Sequence, residues 1–271
     1  MSIDVAVIPA AGRGTRMRPA TRVVSKALLT VVDRPAIQYA VEEAARAGVK
    51  EAIVVVDLDT GHLISQHFSL EGPLPGLEDV QLRPVVQEEP LGLGHAVNAA
   101  AHMVGDRTFF CLLADDIVRP GHDLLPSLAA GSHDGRVSVL CLRELTDEQL
   151  VTKGVAVPAS EVEDGYLDLS GAVEKPSLEA APSRLGLLGR YVFTSEVFEI
   201  LEQLEPGRGG EIQLTDAINE LGRRKRLRGH VATSDILDVG TPIGLLEASV
   251  VLGEHQFGSE FSTWLEDERE S

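Results

Sequence analysis

The sequence predicts an α/β protein with a doubly wound, mainly parallel sheet flanked by helices. Two observations carry this prediction: short runs of apolar and β-branched residues, and helix-like segments that alternate with them along the 271-residue chain. Residues 5–8 and 52–56 are continuously apolar, which is typical of parallel strands covered on both faces. Because successive parallel strands need a crossover, the alternation favours repeated β-α-β units.

The first half of the chain supplies most of this pattern. Residues 5–8 are the predicted first strand, and the apolar spacing in residues 36–47 predicts a helix that ends at Gly48. Further strands are predicted over residues 52–56, 80–86 and 108–114, with a helix over residues 94–103. In the second half the predicted strands are residues 136–142, 154–157 and 187–193, and the predicted helices are residues 195–204, 211–221 and 244–253.

Composition excludes several classes of protein. The formal net charge of −18, from 24 basic and 42 acidic residues, argues against a nucleic-acid partner because a polyanion would be repelled. The longest apolar runs are too short to span a bilayer, and the N-terminal residues lack the basic flank of a signal peptide. We therefore expect a cytoplasmic protein without a membrane partner. Cys111 and Cys141 lie in apolar segments without metal-ligand spacing and are expected to be core thiols.

A glycine-containing loop follows the first predicted strand, in the stretch VIPAAGRGTR of residues 7–16. A dinucleotide-binding loop would need a third glycine after Gly12 and Gly14, and a P-loop would need Gly-Lys-Ser/Thr; both are absent from this stretch. Backbone N–H groups of such a turn can nevertheless approach an anion, with Arg16 and Lys26 nearby in sequence. The loop by itself leaves a phosphate site and an ordinary glycine-rich turn equally open.

Two aspartates follow apolar strand-like segments. Asp115 comes after residues 108–114, and Asp238 ends the segment Ile-Leu-Asp at residues 236–238. Each alone is compatible with a turn or a helix cap. Both lie where open α/β sheets bind ligands, and together they could hold Mg²⁺, which prefers oxygen ligands and bridges phosphates. With Arg16 and Lys26 they provide the cations and metal ligands that phosphoryl transfer requires.

A series of motifs follows along the chain: AAGRGTRMRPAT followed by SK, then GLGHA, LADD, VEKP, GEIQLTDAI and DVG. The series resembles the nucleotidyltransferases that join a sugar 1-phosphate to a nucleoside triphosphate, and among them the bacterial UTP–glucose-1-phosphate uridylyltransferases. The resemblance runs essentially end to end. It implies a Rossmann-like mixed sheet of the nucleotide-diphospho-sugar transferase type in one domain, residues 1–271. The nucleotide-binding part would cover about residues 1–135, and the sugar-phosphate-binding part with the C-terminal helices about residues 136–271.

The resemblance also implies residue roles for the nucleotide. The signature loop that cradles the triphosphate and the departing pyrophosphate would consist of Ala10, Ala11, Gly12, Gly14, Thr15 and Arg16. Lys26 would steady the phosphates in the transition state, while Gln87 and Gly92 would read the uracil edge and pack against the base. Asp115 and Asp238 would be the Mg²⁺ ligands, and Asp115 would also contact the nucleotide.

For the sugar phosphate, the resemblance implies that Glu174 holds sugar hydroxyls, Lys175 holds the phosphate, and Gly154 contacts the sugar through its backbone. The implied reaction is Mg²⁺-dependent transfer of a uridylyl group from UTP to glucose 1-phosphate, with Arg16, Lys26, Asp115 and Lys175 as the catalytic set. A homo-oligomer is also implied. Read without the resemblance, Lys175 could be a surface lysine, Glu174 a solvated glutamate, Gln87 a strand-end side chain, and His95 a structural or capping residue.

The sequence departs from the family at Leu91, which replaces a basic residue before the GLGHA motif, and at three further places. Residues 25–30 lack two prolines and an acid that the family usually has, Lys153 stands where an aromatic residue is common, and the segment before Gln87 is short. The first two leave open another sugar or sugar-like 1-phosphate, or dTTP in place of UTP, and the third leaves the subunit number open. A catalytically silent regulatory homologue is disfavoured because both metal carboxylates and the three cations are present. A hydride-transferring enzyme is disfavoured by the missing third glycine.

Overall fold

The computed structural model describes residues 2–70, 72–234 and 236–270. Its strands are β1 (Val5–Pro9), β2 (Thr30–Val31), β3 (Arg34–Pro35), β4 (Glu51–Val56), β5 (Gln81–Val86), β6 (Phe109–Leu112), β7 (Asp116–Val118), β8 (Ser138–Glu144), β9 (Gly154–Pro158), β10 (Tyr166–Glu174), β11 (Leu185–Phe193), β12 (Leu227–Val231) and β13 (Ile236–Asp238). Its α-helices are α1 (Ala36–Arg46), α2 (Gly61–Ser69), α3 (Leu93–Ala99), α4 (Ala101–Val104), α5 (Leu125–Gly131), α6 (Asp147–Leu150), α7 (Glu196–Gln203), α8 (Leu214–Arg223), α9 (Pro242–Phe257) and α10 (Ser259–Glu270).

Within the described residues, a nine-stranded sheet runs in the order β5-β4-β1-β6-β11-β8-β12-β10-β9. The neighbours from β5 to β6 are parallel, as are β8 and β12, whereas β11 and β10 are antiparallel to the strands beside them. Seven of these nine strands therefore point in one direction. The predicted mixed, mainly parallel sheet is confirmed. Two short antiparallel pairs, β7 with β13 and β2 with β3, lie outside the sheet.

The sheet buries apolar side chains on both faces. Along β1, Val5 and Val7 join one core cluster with residues of α3, α7 and α8, whereas Ala6 and Ile8 join another with residues of α1 and α5. Successive side chains of a strand point to opposite faces, so a strand covered on both sides must be continuously apolar. This is why residues 5–8 read as an unbroken apolar run.

Two helix predictions need correction. The helix expected over residues 211–221 begins at Leu214 because Ile212 is engaged in extended pairing: its N–H donates to the Leu91 carbonyl (2.6 Å) and its carbonyl accepts from the Gly94 N–H (2.9 Å). The helix expected over residues 94–103 is interrupted at Ala100, which separates α3 from α4. Strands β10 and β12 were not expected from the sequence.

Both cysteines are buried in the strands β6 and β8, and burial raises the pKa of each thiol to about 12. They remain protonated at neutral pH, and the prediction of core thiols is confirmed. In the described part of the chain, none of the helices combines the length and apolar character needed to cross a membrane.

Candidate active site

A cavity of about 600 Å³ lies at the carboxyl ends of β1 and β6. Its lining contains the whole set of residues that the resemblance assigns to the nucleotide: Ala10, Ala11, Gly12, Gly14, Thr15, Arg16, Lys26, Gln87, Gly92 and Asp115. Glu211 also lines this cavity, which the sequence did not predict. The fold thus brings together four separate chain segments that the motifs singled out.

The loop after β1 is held by hydrogen bonds to side-chain hydroxyl groups. Gly14 has a φ of 56°, and a Cβ on it would lie 3.0 Å from Lys26 Cβ, so a larger residue would be both strained and crowded. The Gly14 carbonyl accepts a hydrogen bond from Thr21 Oγ1 at 2.6 Å. Ser25, at a position where the family usually has proline, is buried; its hydroxyl donates to the Ala10 carbonyl (3.4 Å) and accepts from the Ala27 N–H (3.3 Å). Hydrogen bonds from Ser25 therefore hold the segment that carries Lys26.

At the other side of the cavity, Gln87 is buried after the end of β5. Its Nε2 donates to the Gly92 carbonyl at 3.1 Å and lies 2.9 Å from His95 Nδ1. Gly92 has a φ of 101°, and a Cβ there would lie 2.8 Å from the Ile212 carbonyl oxygen. Gln87 thus makes the hydrogen bond to backbone expected of a glutamine at a strand end. Its side chain also lines the cavity. His95 has a structural role as a partner of Gln87.

The strand pair β7–β13 brings the two predicted metal carboxylates together. Asp116 faces Asp238 in this pair, and the Val239 N–H donates to the Asp115 carbonyl at 2.8 Å. The Asp115 carboxylate contacts the Lys26 ammonium group. A Cβ on Gly240 would lie 2.7 Å from Asp238 Oδ1 and 3.3 Å from Asp115 Oδ2, so a larger residue there would displace the ends of these side chains.

Asp238 and Lys153 form an ion pair beside Asp115, with 3.1 Å between Asp238 Oδ2 and Lys153 Nζ. Burial acts to raise the pKa of Asp238, but Lys153 and the hydrogen bond from the Gly240 N–H (2.8 Å) outweigh it, and the pKa is lowered. Burial acts to lower the pKa of Lys153, but Asp116 and Asp238 outweigh it, and the pKa is raised. Both groups are therefore charged at neutral pH. For the buried Asp116, burial dominates and raises the pKa to about 7.

A second cavity of about 180 Å³ shares Arg16 and Asp115 with the first. It is lined by all the residues assigned to the sugar phosphate, namely Gly154, Glu174 and Lys175, and also by Lys153 and Asp238. Glu174 is held on both oxygens: Oε2 accepts from Thr215 Oγ1 at 3.1 Å and Oε1 lies 2.9 Å from Lys175 Nζ. A Cβ on Gly154 would lie 3.4 Å from Glu174 Oε2, an ordinary van der Waals distance, so Gly154 lies beside Glu174 in the lining of this cavity.

Comparison with known proteins identifies the family, since residues 5–254 match the family described as Nucleotidyl transferase. The chain belongs to this family. It is 34% identical over 281 residues to the UTP–glucose-1-phosphate uridylyltransferase YngB of Bacillus subtilis (strain 168), over 97% of this chain and 94% of that protein. The resemblance inferred from the motifs is confirmed.

Two solved structures share the fold of this nucleotidyltransferase. A UDP-glucose pyrophosphorylase complexed with UDP-glucose superposes with a TM-score of 0.87 at 32% identity, over 94% of this chain and 100% of that chain. A UTP-bound UGPase from Acinetobacter baumannii superposes with a TM-score of 0.83 at 30% identity, over 97% of this chain and 98% of that chain. These similarities confirm the predicted nucleotide-diphospho-sugar transferase fold.

The donor set of this nucleotidyltransferase fits magnesium. Among the residues that the structure describes, His, Cys, Asp and Glu side chains do not gather in groups of three or more with metal-binding geometry. The pair Asp115 and Asp238 instead offers two carboxylates near the loop that is predicted to bind phosphate. Mg²⁺ is commonly held by one or two carboxylates and completes its shell with waters and substrate phosphates. The two aspartates therefore suit a magnesium ion shared with a nucleotide.

A buried arginine supports the backbone around Asp115, and the sequence analysis missed it. The Arg190 guanidinium donates to the carbonyls of Leu113 (3.1 Å), Gly189 (3.1 Å) and Asp116 (2.5 Å), and it pairs with Glu43. Its side chain is fully buried. An arginine inside the apolar run of β11 was the available signal, because a charge in a buried strand needs partners. Arg190 thus fixes the Leu113 and Asp116 carbonyls on both sides of Asp115.

Proposed function

We propose that this nucleotidyltransferase transfers the uridylyl group of UTP to glucose 1-phosphate, forming UDP-glucose and pyrophosphate. The observation that carries the proposal is the pair of adjoining cavities with Arg16 and Asp115 at their boundary. One cavity is lined by the phosphate loop and Gln87, and the other by Glu174 and Lys175. The relative and the solved structures described above, named for this activity or for its nucleotides, support the same reaction.

The proposed reaction is a direct displacement at phosphorus. A phosphate oxygen of the sugar 1-phosphate forms a bond to the α-phosphorus of UTP, and the bond from that phosphorus to the α,β-bridging oxygen breaks, releasing pyrophosphate. Both reactants are anions and repel each other, so cations near the boundary lower the barrier. Arg16 and Lys26 line the nucleotide cavity. Lys175 lines the second cavity, the acceptor cavity, in which the sugar 1-phosphate would bind. Positively charged side chains therefore lie beside the proposed position of each reactant. Holding the reacting oxygens in line supplies the remaining rate enhancement.

Asp115 and Asp238 would hold Mg²⁺ in this reaction. The bound ion would offset negative charge on the phosphates. Lys26 contacts Asp115 and lines the nucleotide cavity. A triphosphate that enters this cavity offers the Lys26 ammonium group an alternative anionic partner.

Gln87 is the residue proposed to select uracil. Its amide nitrogen already bonds the Gly92 carbonyl and His95, so the amide oxygen is the atom left to accept a hydrogen bond from a base. Uracil offers the N3–H donor at its pairing edge, whereas cytosine has an acceptor at the same position. The arrangement therefore favours a uracil or thymine base over cytosine.

Transfer to another sugar 1-phosphate is the alternative worth testing, because Lys153 lines the acceptor cavity. An unpaired lysine there would favour an acidic sugar. In the structure its charge is offset by Asp238 at 3.1 Å, so the net charge offered to the acceptor is small. This pairing keeps glucose 1-phosphate as the proposed acceptor.

The test is pyrophosphate release from the purified protein, with the common nucleoside triphosphates and dTTP crossed against several sugar 1-phosphates. We expect release mainly with UTP and glucose 1-phosphate, its loss when EDTA removes the metal, and its return with Mg²⁺. Asp115→Asn should lower the rate at least about 100-fold, because a neutral amide is a poor magnesium ligand. Release with a different pair would refute the proposed substrates, and an undiminished rate in Asp115→Asn would refute the metal assignment.

A further inference from the structure

Lys153 is held in place at both ends. It precedes β9, its backbone carbonyl accepts a hydrogen bond from the Lys175 N–H (3.2 Å), and its ammonium group lies 3.1 Å from Asp238 Oδ2. The side chain is mostly buried, with 21% of its surface exposed. Burial removes a lysine from water at a cost, so this geometry persists because the carboxylates around it compensate. Lys153 is therefore part of the carboxylate cluster and not a mobile surface cation.

The cluster pairs each proposed metal carboxylate with its own lysine. Asp115 contacts Lys26, and Asp238 contacts Lys153. Asp116 is buried next to them, facing Asp238 across the β7–β13 pair. The two ammonium groups offset the mutual repulsion of the Asp115 and Asp238 carboxylates. A divalent cation that used both carboxylates would meet two positive charges already in contact with them.

The two lysines differ in where they lie. Lys26 lines the nucleotide cavity, so a bound triphosphate can take over its charge. Lys153 is absent from the lining of that cavity as far as the structure describes it, and lines the acceptor cavity instead. A divalent cation that arrives with a nucleotide therefore brings an anionic partner for Lys26. The phosphates offset part of the repulsion between the cation and the Lys26 ammonium group. A free cation brings no such compensation.

We propose that Lys153 is a positioning residue that holds Asp238 and keeps free divalent cations off the Asp115–Asp238 pair until a nucleotide is bound. The inference rests on the proposed function, since it takes the two aspartates as the metal ligands. It assigns to Lys153 a role in the order of loading: the site accepts the metal together with the triphosphate. A chain with a neutral residue at this position would lose that order.

The experiment is a titration of the full chain with Mn²⁺ and no nucleotide, with free Mn²⁺ measured by electron paramagnetic resonance. We expect weak binding to the wild type, and at least about tenfold tighter binding to Lys153→Met, because removing one ammonium group removes its repulsion of a divalent ion. Lys153→Arg retains the charge and should bind Mn²⁺ like the wild type. Adding Asp238→Asn to Lys153→Met should abolish the gain, which locates the gained binding at Asp238.

Equal Mn²⁺ affinity of Lys153→Met and wild type would overturn the inference. The comparison uses variants whose thermal unfolding shows a folded protein, and Lys153→Gln replaces Lys153→Met if the latter does not fold. Failure of the metal assignment within the proposed function is distinguishable: in that case Asp115→Asn and Asp238→Asn would leave Mg²⁺-dependent pyrophosphate release unchanged, and failure of the proposed substrates would show as release with another pair. If these two variants are inactive and Lys153→Met gains no Mn²⁺ affinity, only the role of Lys153 is wrong.

Discussion

Arg190 in β11 and Glu43 in α1 form an ion pair with 2.8 Å between Nη2 and Oε2, and both side chains are buried although 147 positions separate them. Because Arg190 also donates to the carbonyls of Leu113 and Asp116, the pair connects helix α1 to the backbone on both sides of Asp115. The residues that support the Asp115 segment, Arg190 and Glu43, therefore lie outside the motifs quoted from the sequence.

We expect Glu43→Gln to lower the free energy of unfolding by about 3–5 kcal/mol, because it leaves the Arg190 charge buried and uncompensated. Urea denaturation measures this change. Glu42→Gln is the matched control: Glu42 lies on the same helix and pairs with Arg34, but both are partly exposed, so the change should stay within about 1 kcal/mol. Equal effects of the two substitutions would contradict the assigned importance of the buried pair.

Gln87→Ala should relax base selection. Loss of a specific polar contact in a closed site costs about 1–3 kcal/mol, so the ratio of kcat/KM for UTP over CTP should fall by about tenfold or more. His95→Ala should have a smaller effect in the same direction, because His95 acts on the base through Gln87. Unchanged discrimination in Gln87→Ala would show that the base is read elsewhere.

Lys175→Ala should raise the KM for the sugar 1-phosphate about 10-fold to 100-fold, as expected for a hydrogen bond to a charged group, and change the KM for UTP less. Steady-state kinetics with each substrate varied in turn measures both. Lys50→Ala serves as a control, since Lys50 pairs with Asp79 on the exposed surface and should leave both constants unchanged. A similar rise in both constants would place Lys175 outside the acceptor subsite.

Gly92→Ala should destabilise the protein by about 1–3 kcal/mol and weaken UTP binding. Alanine is strained at a φ of 101°, and its Cβ would lie 2.8 Å from the Ile212 carbonyl, so the loop that Gln87 bonds must shift. Gly105→Ala separates the effect of backbone strain from that of the close contact. Gly105 also has a positive φ, of 63°, but a Cβ built on it would lie in open space. Calorimetric UTP binding should be weakened by the first substitution and not by the second.

The pH dependence of stability should include a contribution from His230. Burial lowers its pKa below the usual value of about 6.5. Just below that pH, His230 is protonated in the unfolded chain but remains neutral in the folded chain. Stability from this group is present above pH 6.5 and is lost as the pH falls from that value through the lowered pKa of the folded state. His230→Gln should therefore lose less stability than the wild type between pH 7.5 and pH 5.5 in urea denaturation. An identical loss in both proteins would contradict this contribution.

Much of the fold followed from local pattern. The continuous apolar runs of β1 and β4 and the spacing in α1 predicted those elements, because burial on two faces or on one stripe imposes a period on neighbouring residues. Strand β10 was not predicted because it has no continuous apolar run: the exposed Asp168 and Ser170 alternate with buried residues, and a register irregularity between Leu169 and Gly171 ends this alternation. The start of α8 was misplaced because Ile212 pairs with residues more than a hundred positions earlier, which no local period records.

For the site, the sequence by itself determined which residues can carry the chemistry: the glycines that allow close backbone approach to phosphate, the cations, and two aspartates after apolar strands. The tertiary structure alone decided which charged side chains contact each other. Asp115 contacts Lys26, which is 89 positions away in the sequence, and Lys153 contacts Asp238, which is 85 positions away. It also decided that Arg190 is buried and paired with Glu43. Residue type and spacing are local properties, whereas the contact between two charges depends on the order of the strands, which forms only when the whole sheet assembles.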